Sequence, residues 1–255
     1  LLTGAAGFLG SHLSQRLIDD NHQVIALDDL STGSMANIKH LLQYPNFTFV
    51  EHDVRKPYKT DIDAILNFAC PASPIHYQSD PVRTIETNFL GIINLLHLAK
   101  ETGAIIVQAS TSEVYGDPAE SPQKETYWGN VNPIGPRSCY DESKRFGEAL
   151  CVAYMNEMKT NVGIARIFNT YGPRLNPIDG RVISNMVTQA LSNEPLTIYG
   201  DGSQTRSFCY VSDLVRGLYA LATSSHPGPF NLGNPVETTI NQLATIVVKE
   251  TSSRS

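Results

Sequence analysis

Thr3-Gly4-Ala5-Ala6-Gly7-Phe8-Leu9-Gly10-Ser11, followed by Gln23-Val24-Ile25-Ala26-Leu27-Asp28-Asp29, decides the fold. The glycines fall in a GxxGxxG spacing. Beyond them, Leu13, Leu17 and Ile18 recur at helical intervals. Strand, glycine turn and helix is the reading. Glycine lets backbone approach a pyrophosphate, which is held by free N–H groups and the dipole at a helix N-terminus. Gly4, Gly7, Phe8, Leu9 and Gly10 are therefore candidate cofactor contacts. The second apolar strand empties into Asp28, which is placed to accept from the adenosine ribose hydroxyls, with Asp29 as the spare. An acid there repels a 2′-phosphate, so the expected cofactor is NAD rather than NADP. Ser31, Thr32 and Gly33 form a polar turn whose N–H groups face the adenosine side.

Working outward, residues 47–50 read as a third strand running to Asp53 and Val54, with Asp53 a candidate acceptor from the adenine amino group. Residues 63–68 read as a fourth strand. It delivers Phe68, Ala69 and Cys70, all candidate cofactor contacts, into a proline-rich loop at the carboxyl edge of the sheet, where ligands bind in such folds. His76 beyond it reads as a packing or capping residue. Residues 81–101 have long helical periodicity, with Asn88 and Lys100 as notable polar residues. Residues 105–109 read as a fifth strand. Strands alternating with helices of this size imply an α/β, Rossmann-type doubly wound parallel sheet.

The fifth strand leads into Ser110-Thr111-Ser112-Glu113-Val114-Tyr115-Gly116. Further on, Tyr140 and Lys144 lie four apart, on one helix face. A nearby ammonium favours phenolate and can lower a tyrosine pKa from about 10, making a base near neutral pH. Either element alone is common on ordinary helices. Together with the glycine turn, Thr111, Tyr140 and Lys144 form a proton-relay set beside a nicotinamide, suited to hydride transfer from a secondary alcohol.

In the remainder, residues 162–167 read as a strand, 185–191 as a helix, and 197–200 and 206–211 as short strands around a Gly-Asp-Gly turn. A helix over 213–221 starts from a Ser212/Asp213 cap, and a strand and turn follow at 230–233. The expected division is an NAD-binding domain over 1–168 and a mainly substrate-binding cap over 169–255, with 207–233 returning to the first domain. No repeat or low-complexity linker is present.

The chain has 255 residues, 41% hydrophobic and 17% charged, with a net charge of −6. That is ordinary globular composition without the basic footprint of nucleic-acid binding. Its four cysteines make no CxxC pair, so no metal site is expected and the thiols read as reduced and buried. No stretch is apolar and long enough to span a membrane. The expected location is cytoplasmic. The chain opens at the end of a strand, so residues preceding Leu1 are expected, and they leave room for a membrane anchor.

The glycine turn, Ser110–Gly116 and the Tyr140/Lys144 pair resemble the extended short-chain dehydrogenase/reductase family. Within it, Ala69-Cys-Pro-Ala-Ser-Pro74, Glu125-Thr-Tyr-Trp-Gly-Asn-Val-Asn-Pro133, Ser138-Cys-Tyr-Asp-Glu142, the run from Ala165 to Arg174 and the run from Leu196 to Phe208 are similar to the UDP-glucuronate decarboxylase branch. The resemblance implies NAD-dependent conversion of UDP-glucuronate to UDP-xylose through a 4-keto sugar, with the cofactor recycled. It places Ser112, Asn88, Lys100 and Asn169 on the substrate and Thr170 near the nicotinamide. It sets Arg181 against the sugar carboxylate and pyrophosphate, a role suited to a planar guanidinium. Tyr199 is then a candidate to stack on uracil, and Arg206 to hold the diphosphate. Dehydratases of the family carry Asp-Glu where this chain has Ser112-Glu113, so elimination is disfavoured and Glu113 is expected to act at the sugar. Glu86 and Ser143 stand where relatives are expected to have Lys and Gly. The family is usually dimeric through helices matching residues 81–101 and 141–159. The alternatives are a 4-epimerase or 4,6-dehydratase acting on a related sugar nucleotide, and a non-catalytic NAD-binding scaffold on the same fold.

Overall fold

The computed structural model describes residues 1–255, and its backbone starts in β1 (Leu2–Thr3), which turns at Gly4 with φ +67°. A Cβ at Gly4 would stand 2.6 Å from the Phe68 carbonyl oxygen, so this turn requires glycine. There follow α1 (Phe8–Asp19), β2 (Val24–Asp28), β3 (Phe47–Glu51), β4 (Ala64–Asn67), α2 (Pro74–Ser79), α3 (Pro81–Thr102), β5 (Ile105–Thr111), α4 (Ser138–Met158) and β6 (Val162–Ile167). The later part holds β7 (Thr170–Tyr171), α5 (Val182–Leu191), β8 (Thr205–Ser207), β9 (Cys209–Tyr210), α6 (Val211–Ala222), β10 (Phe230–Leu232), β11 (Glu237–Thr239) and α7 (Ile240–Thr251). The helix α3 shows why such boundaries fall where they do. Asp80 caps it by accepting from the Arg83 N–H, Pro81 sets its first φ, and Gly103 in the left-handed region ends it.

Seven strands form one parallel sheet in the order β10-β6-β5-β4-β1-β2-β3. The order reverses beside β1, which opens a crevice at the carboxyl ends of β1 and β4. One apolar core packs α1 and α6 on one face through Leu13, Ile18, Leu214 and Leu218. The other packs α3 and α4 on the opposite face through Ile92, Leu96, Ile106 and Cys151. Each face buries the apolar stripe of its helices, which drives the layering.

A third, smaller core of Met186, Ala190, Ile240, Leu243 and Val247 joins α5 to α7, beside the antiparallel pair β8–β11. Between these pieces, α6 and β10 sit on the main sheet.

Two local expectations fail. Residues 197–200 form no strand: Gln189 in α5 binds both the Thr197 N–H (3.0 Å) and its hydroxyl (2.8 Å), replacing a ladder partner. The helix expected from Asp213 starts at Val211 instead, with no side-chain cap.

Candidate active site

A cleft of about 1110 Å³ runs along the carboxyl edge of the sheet, between the first turn of α1, the 70–77 segment, the end of β5, the start of α4 and residues 167–183. At its cofactor end, the first-turn N–H groups of Phe8, Leu9 and Gly10 find no acceptor in the chain. Four such donors are left free at any helix start, and here they face the cleft. Phe8, Leu9 and Gly10 line it, and Gly4 lines an adjoining hollow with Asp28, Asp29, Ser31, Thr32, Val54, Phe68, Ala69 and Cys70. Gly7 and Gly33 stand behind these walls as packing positions, Gly33 against Ala6 and Asp28. Free donors at a helix start, next to a hollow carrying carboxylates, fit a dinucleotide.

Asp28 also has a structural duty. Its oxygens accept from the Ala6 N–H (2.9 Å) and the Leu30 N–H (2.8 Å), binding the glycine loop to the turn after β2. Asp29 accepts from Ser31 and pairs with Arg83 at 2.8 Å. Asp53 is not brought to the hollow lining; it pairs with Arg55, which also holds Glu86.

At the chemical end, β5 delivers Thr111, and Ser112 and Glu113 follow in a short 3-10 turn. The first turns of α4 present Tyr140 and Lys144, both buried. Thr111, Ser112, Glu113, Tyr140, Lys144, Asn169, Thr170, Arg181, Tyr199 and Arg206 all line the cleft. Lys144 donates to the Ala109 carbonyl at 3.0 Å, and its nitrogen lies 5.8 Å from the Tyr140 ring centre. Burial pushes the Tyr140 phenol up, with the Cys70 sulfur adding to this, while the Thr111 hydroxyl and Arg181 act the other way. Within the chain, burial thus opposes the phenolate that Lys144 favours. Burial of the ring outweighs a lysine whose bond goes to a backbone carbonyl.

Asn88 and Lys100 do not reach the cleft. Asn88 is buried between α3 and α4 and donates to the Ser143 hydroxyl at 2.8 Å. Lys100 sits in the last turn of α3, against the Met158 sulfur at 3.4 Å. Arg181 donates to the Ala72 carbonyl (2.9 Å), and its Nε lies 2.8 Å from the buried Asp179 carboxylate.

Several cleft residues escaped the sequence reading. Tyr77 in α2 stacks on Tyr140, centroids 4.9 Å apart and planes 11° apart, with its buried hydroxyl unpartnered. Ser73 stands at the N-cap of α2, yet its hydroxyl caps nothing and is also unpartnered. Arg137, one turn before Tyr140, forms an ion pair with Glu113 across the cleft. Its spacing from Tyr140 was the available signal; Tyr77 and Ser73 needed α2 to be recognised as a helix.

A family model described as "NAD dependent epimerase/dehydratase family" matches residues 1–233. The chain belongs to the NAD-dependent epimerase/dehydratase family. Its NAD fits the free donors and the acid-lined hollow described above. Among curated members of this family's kind, UDP-glucuronic acid decarboxylase 1 of Arabidopsis thaliana is 56% identical over 97% of this chain and 57% of its own length. UDP-glucuronic acid decarboxylase 1 of Danio rerio is 51% identical over 100% of this chain and 61% of its own. The chain thus spans about three fifths of these relatives. Among solved structures, UDP-N-acetylglucosamine 4-epimerase from Methanobrevibacter ruminantium M1, in complex with UDP-N-acetylmuramic acid, superposes with a TM-score of 0.91 at 29% identity, covering 99% of this chain and 82% of that one.

Within this epimerase/dehydratase family the chain has the seven-stranded parallel sheet and the small outer sheets expected of an α/β fold of this class. No helix is long and apolar enough to cross a membrane.

Proposed function

We propose that this chain carries the decarboxylation of UDP-glucuronate to UDP-xylose, through a 4-keto sugar and with NAD recycled. The observation that carries the reading is the high identity, over almost the whole chain, to curated UDP-glucuronic acid decarboxylases. Site chemistry supports it. Ser112 stands beside Glu113 in the cleft, and a hydroxyl is a far weaker acid than the aspartate that would protonate a departing hydroxyl in a dehydratase.

In this mechanism Tyr140 acts as phenolate, a state that Lys144 and the positive charge of oxidised NAD would favour against burial, and takes the proton of the C4 hydroxyl, with the Thr111 hydroxyl bound to the same oxygen. When bound, NAD supplies the hydride acceptor at C4 and later the donor. The oxidised sugar bears its carboxylate β to the ketone. Its C5–C6 bond breaks, CO₂ leaves, and the bond's electron pair enters the ketone as an enolate. A proton from water enters at C5 and restores the ketone, and Tyr140 returns its proton to the C4 oxygen as the alcohol re-forms. Lys144 lies behind the ring and steadies negative charge on the phenol oxygen. Asn169 and Thr170 reach the cleft from the loop after β6 to meet sugar and nicotinamide; Arg181, Arg206 and Tyr199 take the nucleotide end. The working assembly in this reading is a homodimer through α3 and α4.

A 4-epimerase is the second reading, favoured by the close superposition on a 4-epimerase structure. Proton NMR of the purified chain with UDP-glucuronate separates the two: UDP-xylose and CO₂ are expected, whereas the 4-epimer with its carboxylate intact would overturn decarboxylation. Tyr140→Phe should lower turnover at least ~100-fold; full turnover in that variant would remove Tyr140 from the chemistry.

A further inference from the structure

The cleft contains an arginine that the mechanism above leaves without work. Arg137 precedes Tyr140 by one helical turn, at the N-cap of α4, and pairs with Glu113 across the cleft. Both partners are accessible, with side-chain exposures of 46% and 32%. Around the pair lie the Tyr77 hydroxyl, beside the Arg137 guanidinium, and the unpartnered Oδ1 of Asp141, both buried.

Of the other cations of the cleft, Arg206 bonds only the neighbouring Thr205 carbonyl and lies among the residues assigned to the nucleotide end, and the rest are committed. Lys144 is buried and bound to the Ala109 carbonyl. Arg174 donates to the Ser11 carbonyl and contacts His40. Arg181 holds the Ala72 carbonyl and the buried Asp179 carboxylate. Removing Arg181 from Asp179 would strand a buried charge, which is costly. Arg137 faces no such cost, because an exposed ion pair contributes little and its partner can turn to water. A guanidinium also has five donors in a planar fork, able to meet a second carboxylate bidentately.

We infer that Arg137 is the specificity-determining residue that takes the C6 carboxylate of the hexuronic acid, exchanging Glu113 for the substrate. This rests on the UDP-glucuronate reading and deepens it. In the free chain Glu113 occupies the guanidinium as an internal stand-in for the substrate's anion. Arrival of the substrate carboxylate releases Glu113 next to the sugar. A neutral hexose has nothing to trade for Glu113, so the pair persists and that substrate is held less well. Arg181 then serves the nucleotide diphosphate rather than the sugar carboxylate.

The test compares binding of UDP-glucuronate, UDP-glucose and UDP by calorimetry, using the purified chain with NADH, which cannot oxidise the substrate. Wild type should prefer UDP-glucuronate over UDP-glucose. Arg137→Ala should abolish that preference, a loss of about 10- to 100-fold for UDP-glucuronate, with UDP-glucose and UDP changed less than about twofold. Glu113→Gln should act in the opposite direction: with the internal competitor gone, UDP-glucuronate should bind severalfold more tightly and UDP-glucose unchanged. A merely structural role for the pair would weaken every ligand in both variants, and that result would overturn the assignment. A preference fully retained in Arg137→Ala would overturn it too while leaving the UDP-glucuronate reading intact. Wild type indifferent to the carboxylate would overturn both.

Discussion

Asp141 follows Tyr140 directly, yet its side chain turns into the protein, with Oδ1 buried and unpartnered. Burial raises its carboxyl from 3.8 to about 6, opposed by Arg137 and reinforced by Glu113 and Glu142. The folded chain therefore binds this proton more strongly than the unfolded one. Stability falls as pH rises from about 4 through about 6, and the deficit is complete above that. A shift of about two units corresponds to a few kcal/mol, reduced to roughly 1–2 kcal/mol by the charge and solvent nearby. Asp141→Asn should accordingly raise the thermal midpoint at pH 7.5 and bring almost no gain at pH 4. An equal gain at both pH values would show that packing, not charge, sets the effect. At this scale the sequence was partly legible. Thr111, Tyr140 and Lys144 were readable because their spacing encodes their chemistry, and the structure brings all three to one cleft. The raised Tyr140 phenol was not readable, since it depends on burial by Tyr77 and Cys70 from a distant segment. The ion pair of Asp53 was not readable either: nothing in its neighbourhood announces that Arg55 will take its carboxylate.

Among the elements, α5 is the one that ties the outer core to the cleft. Its Met186 is fully buried against α7, while Val182 and Ile183 at its start line the cleft. Truncating a fully buried methionine removes its transfer energy and leaves a cavity, together about 2–5 kcal/mol. Met186→Ala should therefore loosen the α5–α7 pair first, because that core is small and separate from the two sheet faces. The expected result is a severalfold higher KM for the sugar nucleotide with NAD still retained on the chain, read by steady-state kinetics and by cofactor absorbance after gel filtration. Loss of NAD in step with the KM change would mean that the two cores unfold together. Elements of the main sheet were legible because parallel strands buried on both faces read as short apolar runs between amphipathic helices. Outside the sheet that rule lapses. Residues 197–200 look like a strand, but Gln189 supplies the hydrogen bonds of Thr197 from a helix side chain, which no periodicity reveals.

On the scale of the whole molecule, the outer faces of α3 and α4 leave an apolar surface open. Val82, Ile85, Phe89 and Leu90 from α3 and Val152 and Met158 from α4 are exposed, and Phe89 stacks on Phe146 between the helices at 4.8 Å. Scattered exposed apolar residues are normal on a protein, but a run along two adjacent long helices is the pattern of an interface. A two-fold axis through such a face would bring the α3–α4 pairs together as a four-helix layer, self-complementary by symmetry. The same helices bear the catalytic turn: α4 carries Tyr140 and Lys144, and Asn88 in α3 reaches Ser143 beside them. Docking this face would thus hold the relay from behind, while the cleft runs along the carboxyl edge of the sheet. Phe89→Glu would place an unpaired charge in the contact, a substitution expected to raise the dimer dissociation constant at least ~100-fold. Light scattering at micromolar concentration should then report a dimer for wild type and a monomer for the variant, with the variant's far-ultraviolet circular dichroism unchanged. A wild-type monomer under those conditions would refute the dimer outright. A dimer surviving Phe89→Glu would move its contact to another face.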